Sequence, residues 1–352
     1  MAAPTLRSLA RVLPFSRTTI SDALRGSPRV NSATARAVRA AVAAAGYRPN
    51  LLASAVMSEV RRSRGGLFRG VLAVVILDEP ERPAHADRFF GEMVRGIRER
   101  AGQLDFRVEV FTVGPRGVSW PRLGVILRSR GITGLLLFPT WGEPDFSGFD
   151  FSTHAALYVD YAVSRPPLNS LCSEHYRSLM EALHRLHTLG YRRPGLALQR
   201  HQGERIQHRW ESAVLAFQRH AAGTGRIPPL LYDAPRREPF LAWFRRHRPD
   251  VVLAHDTTII DWMESAGARI PATHGFFCLN LTHATAPCAG LDLQPRVIGA
   301  RATELLVGQL LRNERGIPDC PSLNTIGARW VDGSTIRTSA TRVGPRGSRA
   351  RG

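Results

Sequence analysis

The sequence predicts a small all-α module at the N-terminus, followed by a large two-lobed α/β domain. Before residue 46 the apolar residues recur at helical spacing in three short segments, whereas from residue 67 apolar runs alternate with amphipathic stretches. Such alternation is typical of doubly wound, mainly parallel sheets. A chain of 352 residues is too long for one typical domain, and it holds too many strand–helix units for one sheet. We therefore expect two lobes with a cleft between them.

The N-terminal segments read as short helices over 5–12, 16–24 and 32–45. The second opens on Ser16, a good N-cap residue, and places Ile20 and Leu24 on one face. The third is rich in alanine, carries Val38 and Val42 inward, and stops at Gly46. A glycine- and proline-containing turn, RGSPRV, separates the second helix from the third.

The α/β elements begin with the run VLAVVIL, which is typical of a strand buried on both faces. Further strands are expected in RVEVFTV, GLLLFP, ALYVDY, GLALQ, VVLAH and GFFCLN, and helices over 89–103, 120–130, 178–189, 205–220, 240–247 and 259–266. The sequence thus divides into a helical module with a following short helix (1–60), a charged linker (61–67), the two-lobed domain (68–337) and a basic, glycine-rich tail (338–352) that we expect to be disordered.

Positive charge is concentrated at the N-terminus. The formal net charge is +19, and all the basic residues are arginine, a bias that a GC-rich genome also favours. Residues 1–65 hold eleven arginines against Asp22 and Glu59, so about half of the net charge lies in less than a fifth of the chain. This density predicts a phosphate-binding surface on the N-terminal module.

Several function classes are disfavoured. We find no phosphate-binding loop, G-x-S-x-G, H-E-x-x-H or C-x-x-C signature, so neither an enzyme nor a metal or cofactor site is expected. The four cysteines look like reduced cytosolic thiols, no run of eighteen apolar residues predicts a membrane span, and the start of the chain does not resemble a signal peptide. A cytoplasmic protein is therefore expected, and a periplasmic transport receptor is disfavoured.

The first sixty residues resemble the lactose-repressor/galactose-repressor family of bacterial transcription regulators. The family pattern has an alanine in the first helix, S-x-x-T-[VI]-S opening the second, V-[SN]-x-x-T opening the third, and G-Y-x-P-N after it. The matching residues are Ala10, Ser16, Thr19, Ile20, Ser21, Val30, Asn31, Thr34, Val38, Gly46, Tyr47, Pro49 and Asn50, with Arg36 one position late. Weaker similarity continues through RLGVILRSRGITGLLLFP, RPDVVLAHDTTII and GLDLQPRVIGARATELL.

The resemblance implies a helix-turn-helix with a hinge helix, joined to a type I periplasmic-binding-protein-like effector domain. It also implies a homodimer on a near-palindromic operator in double-stranded DNA, and control by a small effector, most often a carbohydrate. A ligand-independent DNA-binding protein with a degenerate sensor domain is the alternative, because three family positions differ: Cys278 and Leu281 replace a glycine and an aspartate, and Ser212 replaces a glycine.

DNA contacts are expected at the start of the second helix and in the hinge. Arg17 either pairs with guanine or touches phosphate, and Asp22 either accepts from cytosine or repels phosphate. Val56 stands at the family's leucine wedge position with Met57 beside it, and this segment wedges into the minor groove or packs against its dimer mate. The DNA-binding candidates are Thr5, Ser16, Arg17, Thr18, Thr19, Ser21, Asp22, Asn31, Thr34, Tyr47, Asn50, Ala53, Val56 and Met57.

Effector contacts are expected beyond the strand ends of the α/β domain. Arg209 and Asp256 match the family's arginine and aspartate ligands, and the alternative for both is an ion pair. Phe89 and Phe90 either stack on a sugar or pack in the core. The effector-binding candidates are Asp78, Phe89, Phe90, Arg209, Asp256, Asn280 and Gln294.

Overall fold

The computed structural model describes residues 9–10, 14–24, 30–44, 69–83, 85–159, 161 and 165–338. The chain divides into two compact units, each assembled from three stretches of sequence. Unit 1 takes its described residues from Met1–Glu79, Val94–Ser170 and Gly299–Ser322, and unit 2 takes them from Pro80–Met93, Leu171–Ile298 and Leu323–Gly352. The predicted hinge and linker, and most of the predicted C-terminal tail, lie outside the described residues.

The N-terminal part of unit 1 is helical. Helix α1 spans Arg17–Leu24 and helix α2 spans Ser32–Ala44, close to the predicted bounds, and Leu9 and Ala10 are also helical. Leu9, Ile20, Ala23, Val38 and Val42 are buried together in one apolar cluster. This cluster forms because the i, i+3 and i, i+4 spacing puts apolar residues on one face of each helix.

Twelve strands form two six-stranded sheets in the described part of the chain. The strands are β1 Gly70–Leu77, β2 Phe106–Val113, β3 Gly134–Leu137, β4 Ala155–Tyr158, β5 Asn169–Glu174, β6 Pro194–Gln199, β7 Leu230–Tyr232, β8 Val251–Ala254, β9 Gly275–Cys278, β10 Ala289–Asp292, β11 Leu323–Gly327 and β12 Arg329–Val331. The first sheet has the order β11-β5-β4-β3-β1-β2 and the second has the order β12-β10-β9-β8-β6-β7.

Helices alternate with these strands. They are α3 His85–Gln103, α4 Trp120–Ser129, α5 His175–Thr188, α6 Arg200–Arg205, α7 Arg209–His220, α8 Arg237–His247, α9 Thr258–Ser265 and α10 Pro295–Arg312, with a 3-10 turn at Leu281–His283. The strands β6, β8, β9 and β10 pair in parallel, and only the short β12 runs antiparallel to β10. The prediction of a mainly parallel, doubly wound α/β fold is therefore confirmed.

One predicted helix is wrong. The sequence pattern favoured a single helix over 205–220, but the structure has two, α6 and α7. Gln207 and His208 between them adopt left-handed backbone angles, with φ of 54° and 55°. This conformation cannot continue an α-helix, so the chain turns and α7 starts afresh at Arg209.

Candidate functional site

The start of helix α1 is fixed by its own polar side chains. The Oγ of Ser16 accepts a hydrogen bond from the backbone N–H of Thr19 at 3.0 Å, and the Ser16 and Thr19 hydroxyls are 2.8 Å apart. In the same way, Oδ1 of Asn31 accepts from the N–H of Thr34 at 2.8 Å and opens α2. Both residues therefore act as N-caps, which satisfy backbone donors that a helix start leaves unpaired.

The remaining DNA-binding candidates fall into three groups. Arg17, Thr18 and Ser21 lie in α1, where the structure describes their backbone alone, and the side chain of Asp22 in the same helix is half-buried. Ser16 and Asn31 are exposed, while Thr19 and Thr34 are half-buried. Thr5, Tyr47, Asn50, Ala53, Val56 and Met57 lie outside the described residues. All these DNA contacts stay predictions.

The second candidate site is the edge of the second sheet at which its parallel strands end. Strands β8, β9 and β10 pair in parallel, so the residues that follow them emerge at one edge. Asp256 follows β8, Asn280 follows β9 and Gln294 follows β10. Three of the predicted effector contacts therefore lie along one edge of unit 2, as the strand–helix alternation predicts.

Asp256, which follows β8, and the half-buried Tyr232, which ends β7, both lie at the ends of parallel strands at this edge. Oδ1 of Asp256 accepts from the backbone N–H of Thr258 at 2.9 Å, which orients the carboxylate at the start of α9. Burial, and secondarily the negative charge of Asp256, raise the pKa of Tyr232 well above its ordinary value. The edge therefore offers a hydroxyl donor, from Tyr232, and a carboxylate acceptor, from Asp256.

Aromatic and imidazole rings lie beside Arg209. The ring of the buried Trp210 meets His175 edge-on at 4.6 Å between centroids and lies 6.5 Å from His255, which in turn lies 5.4 Å from His283. Burial, together with the nearby positive charges of His255 and Arg209, lowers the pKa of His175 to about 3. His175 is therefore neutral at physiological pH and serves as an uncharged partner for Trp210.

Arg209 is the first residue of α7, and its Nη2 donates to Oε1 of Gln207 at 3.3 Å. The left-handed pair Gln207 and His208 sets the direction in which α7 begins, so the backbone break that the sequence analysis missed positions this arginine. A guanidinium and a carboxylate at this edge supply a donor and an acceptor, which is chemistry that can hold a polyhydroxylated ring, whereas the fully buried indole of Trp210 is part of the packed core.

Two predicted contacts have structural partners. Asn280 is buried, caps the 3-10 turn and accepts from the N–H of Thr282 at 3.1 Å. Gln294 adopts a left-handed backbone, with φ of 56°, and its Nε2 donates to the carbonyl of Gly327 at 2.7 Å. Both side chains therefore shape the edge, and an effector contact for either stays a prediction.

The other three candidates lie apart from this edge in sequence. The Asp78 carboxylate, almost fully buried in unit 1, accepts from the backbone N–H of Arg116 at 2.8 Å and from its guanidinium at 2.5 Å. In unit 2, Phe90 is buried beneath the guanidinium of Arg82, which lies 4.9 Å from the ring centre, and Phe89 is half-buried. Their effector contacts also stay predictions.

Sequence reasoning missed the edge residues Tyr232, Trp210, His175 and His255. Trp210 and His255 are sequence neighbours of the predicted Arg209 and Asp256, and that adjacency was an available signal. Tyr232 ends a three-residue strand, too short to leave a periodic pattern. No group of three or more histidine, cysteine, aspartate or glutamate side chains suited to a metal occurs among the residues that the structure describes. Within the same residues, no helix has both the length and the apolar character needed to cross a bilayer.

Two curated regulators match part of the chain, although no protein-family model matches it. The HTH-type transcriptional regulator CelR of Thermobifida fusca is 28% identical over 134 residues, which cover 38% of this chain and 36% of CelR. The HTH-type transcriptional regulator AglR of Rhizobium meliloti (strain 1021) is 37% identical over 101 residues, covering 29% of this chain and 26% of AglR. The matched region thus spans about a third or less of each relative's length.

Solved structures match nearly the whole chain. A lac repressor dimer bound to operator and the anti-inducer ONPF superposes with a TM-score of 0.55 at 17% identity, covering 96% of this chain and 100% of that one. A complex of the transcriptional regulator CelR with cellobiose superposes with a TM-score of 0.52 at 19% identity, covering 94% and 99%. The chain therefore has the fold of these regulators, an N-terminal helical module joined to a two-lobed periplasmic-binding-protein-like α/β domain. In sequence and in fold, it resembles the lactose-repressor/galactose-repressor family.

Proposed function

We propose that this chain is a DNA-binding transcription regulator, acting as a repressor, whose hold on its operator is controlled by a carbohydrate effector. The observation that carries the proposal is the pairing, in one chain, of a capped two-helix module with a ligand-type sheet edge. The module supplies α1 and α2 on a shared apolar core, and the edge supplies Asp256, Tyr232 and Arg209. Such a protein acts on chromosomal DNA, so its place is the cytoplasm.

The DNA-binding role rests on the N-terminal module. A helix fits the major groove with its first residues toward the bases, and Ser16 caps α1 so that Arg17 and Thr18 fall at that end. The density of arginine in residues 1–65 supplies the attraction to phosphate. One such module reads too few base pairs to find a single site in a genome, so a homodimer on a near-palindromic operator fits the need.

The effector role rests on the edge of unit 2. Asp256 supplies a carboxylate acceptor and Tyr232 a hydroxyl, which suit the hydroxyls of a sugar, and the guanidinium of Arg209 adds further donors. The CelR structure holds cellobiose, so β-linked glucose disaccharides head the candidates. The predicted contacts Asp78, Phe89, Phe90, Asn280 and Gln294 complete the proposed set.

The experiment has two stages. Operator sequences are first selected from a random duplex library, and a thermal-shift screen of the purified protein then covers neutral disaccharides including cellobiose, uronates and phosphosugars. A sugar that raises the melting temperature is next titrated into the operator complex. We expect operator affinity to change by about 5- to 150-fold, the usual range of coupling between two sites.

The decisive variant is Asp256→Asn. The amide keeps an oxygen for the N–H of Thr258 and so preserves the start of α9, but it removes the charge offered to the sugar. The matched control is Asp233→Asn at an exposed residue that pairs with Arg200. We expect the first variant alone to lose the effector response. Operator binding that no sugar changes would instead favour the ligand-independent alternative, and selection without an enriched sequence would overturn the proposed DNA reading.

A further inference from the structure

The C-terminal end of α1 is held by a residue from the far end of the chain. The last carbonyls of a helix have no donor within the helix. The carbonyl of Leu24, the last residue of α1, accepts a hydrogen bond from Nδ2 of Asn313 at 2.8 Å. The preceding carbonyl, of Ala23, accepts from Arg39 of α2 at 3.4 Å. One of the two donors thus comes from within the helical module, and the other comes from the segment after α10.

Asn313 is oriented for this contact by its own surroundings. It follows α10 directly with a left-handed backbone, φ of 57°, a conformation that asparagine tolerates better than most residues. Its Oδ1 accepts from Nε of Arg315 at 3.1 Å, and Nη1 of Arg315 donates to the carbonyl of Thr153 at 2.9 Å. Because the guanidinium can only donate, it fixes which end of the amide faces it, and the NH2 group must then face Leu24.

The segment that carries Asn313 is tied firmly into unit 1. The N–H of Gly316 donates to the carbonyl of His154 at 2.9 Å, and the N–H of Asn313 closes onto the carbonyl of Leu310 at 3.2 Å. Burial, followed by the like charge of Arg39, lowers the pKa of Arg315. The hydrogen bonds of Asn313 and Arg315 therefore form in spite of the like charges of Arg315 and Arg39.

The contact is made at the end of α1 opposite to the predicted DNA-binding residues Ser16 and Arg17. Ser16 and Arg17 stand at the N-terminal end, whereas Asn313 touches the C-terminal carbonyl. A module held in this way can still present its first residues to the major groove, so the contact suits a positioning role rather than an inhibitory one.

We propose that Asn313, oriented by Arg315, forms a dock that fixes the direction of α1. Helix α1 is the helix expected to enter the major groove, and the dock holds it on the α/β part of unit 1. The partner surface is a named segment of the same chain, the C-terminal end of α1. The dock rests on the proposed function in one respect, because its expected effect is on the binding of DNA. In a dimer, a fixed direction of each α1 sets the separation of the two half-sites that the protein accepts.

The dock also shares a helix with the candidate effector edge. Helix α10 starts at Pro295, next to Gln294, and ends at Arg312, next to Asn313. Its eighteen residues are continuous in helical conformation.

The test variant is Asn313→Asp. Aspartate has nearly the same shape, also tolerates the left-handed backbone, and keeps an acceptor for Arg315, but it turns a carboxylate toward the Leu24 carbonyl. The matched control is Arg312→Ala on the same segment, because the guanidinium of Arg312 pairs with Glu314. Operators are compared with the selected half-site spacing and with one or two base pairs added or removed.

We expect Asn313→Asp to weaken binding at the best spacing by about three- to tenfold, the value of one lost hydrogen bond, and to flatten the dependence on spacing. Arg312→Ala should keep the wild-type profile. An unchanged spacing profile in Asn313→Asp overturns the dock, and so does tighter binding at every spacing, which would make the contact inhibitory.

A second measurement needs no DNA. Spin labels are placed at the exposed Ala44→Cys in α2 and Arg122→Cys in α4, in a Cys320→Ser background because Cys320 is the exposed native thiol, and labelled chain is diluted with unlabelled chain. We expect a narrow distance distribution that broadens in Asn313→Asp and not in Arg312→Ala. Equal widths in all three proteins overturn the dock. Broadening in a protein that selects no DNA sequence supports the dock and refutes the proposed function.

Discussion

Replacing His175 by glutamine should make the protein less sensitive to acid. The imidazole of His175 is buried against Trp210, and its pKa is about 3, against an ordinary value of 6.5. In the unfolded chain it takes up a proton near pH 6.5, but in the folded chain it does not do so until about pH 3. Between these values the unfolded state binds more protons, so stability falls as the pH falls.

The magnitude follows from the two pKa values. At pH 7 His175 of the unfolded chain is mostly neutral, so its titration lowers the free energy of unfolding only slightly. At pH 5 the unfolded chain is about one and a half pH units below the ordinary pKa of histidine, so it binds a proton that the folded chain does not. This difference lowers the free energy of unfolding by about 2 kcal/mol. Glutamine does not take up a proton, and it keeps an amide donor. Between pH 7 and pH 5 the free energy of unfolding of the variant should therefore fall by about 2 kcal/mol less than that of the wild type.

The assay is urea unfolding at pH 5, 6, 7 and 8, followed by tryptophan fluorescence and circular dichroism. The matched control is His184→Gln, at an exposed histidine that also meets an aromatic ring edge-on, that of Phe217 at 5.1 Å. Burial also lowers the pKa of His154 and of His274, so some acid sensitivity stays in every protein. The reasoning would be refuted if the free energy of unfolding of His175→Gln depended on pH as steeply as that of the wild type. It would also be refuted if His184→Gln reduced the pH dependence as much as His175→Gln.

Substitutions at three further positions test particular contacts. Ser16→Ala should destabilise α1 by about 1 kcal/mol in thermal melts, whereas Ser16→Asp should keep the cap but weaken operator binding if Ser16 also faces phosphate. Gln218→Leu should cost about 2–4 kcal/mol in urea unfolding, because the buried amide serves both the Pro194 carbonyl and the Ile227 N–H; a loss below 0.5 kcal/mol would contradict this role. Gly275→Ala should cost about 1–3 kcal/mol in urea unfolding, since a Cβ there would lie 2.6 Å from the Tyr191 hydroxyl and 2.7 Å from the ring carbon that carries it; an unchanged free energy of unfolding would contradict this close approach.

Elements with a strong repeating pattern were predictable from the sequence. The capped start at Ser16 and the inward Ile20 gave α1 its bounds, and the apolar run through β1 gave a buried strand. Short strands such as β7, with three residues, carry too few positions to show a period. The break at Gln207 and His208 escaped because neither residue is a glycine or proline, and their left-handed backbone depends on the surrounding packing.

The candidate site was predictable where strand ends determine it. Asp256 and Asn280 follow apolar strands, so their place at one edge follows from parallel pairing. The neighbours of Arg209 were not predictable in the same way. The approach of His175 to Trp210 depends on how α5 and α7 pack, and no local pattern reports the contact between two helices.

The hydrogen bonds at the edge separate residues that build it from residues that are suited to recognise a ligand. The amide of Gln294 donates to the carbonyl of Gly327, and the side-chain oxygen of Asn280 accepts from the N–H of Thr282 in the turn that follows it. Asp256 accepts from the N–H of Thr258 through Oδ1, and its second carboxylate oxygen offers the edge a further acceptor. Asn280 therefore keeps the local turn intact but adds no charge to the edge. Asp256 is then the main acceptor at this edge for the proposed sugar effector. We therefore expect selectivity among sugars to depend on Asp256 more strongly than on Asn280 or Gln294.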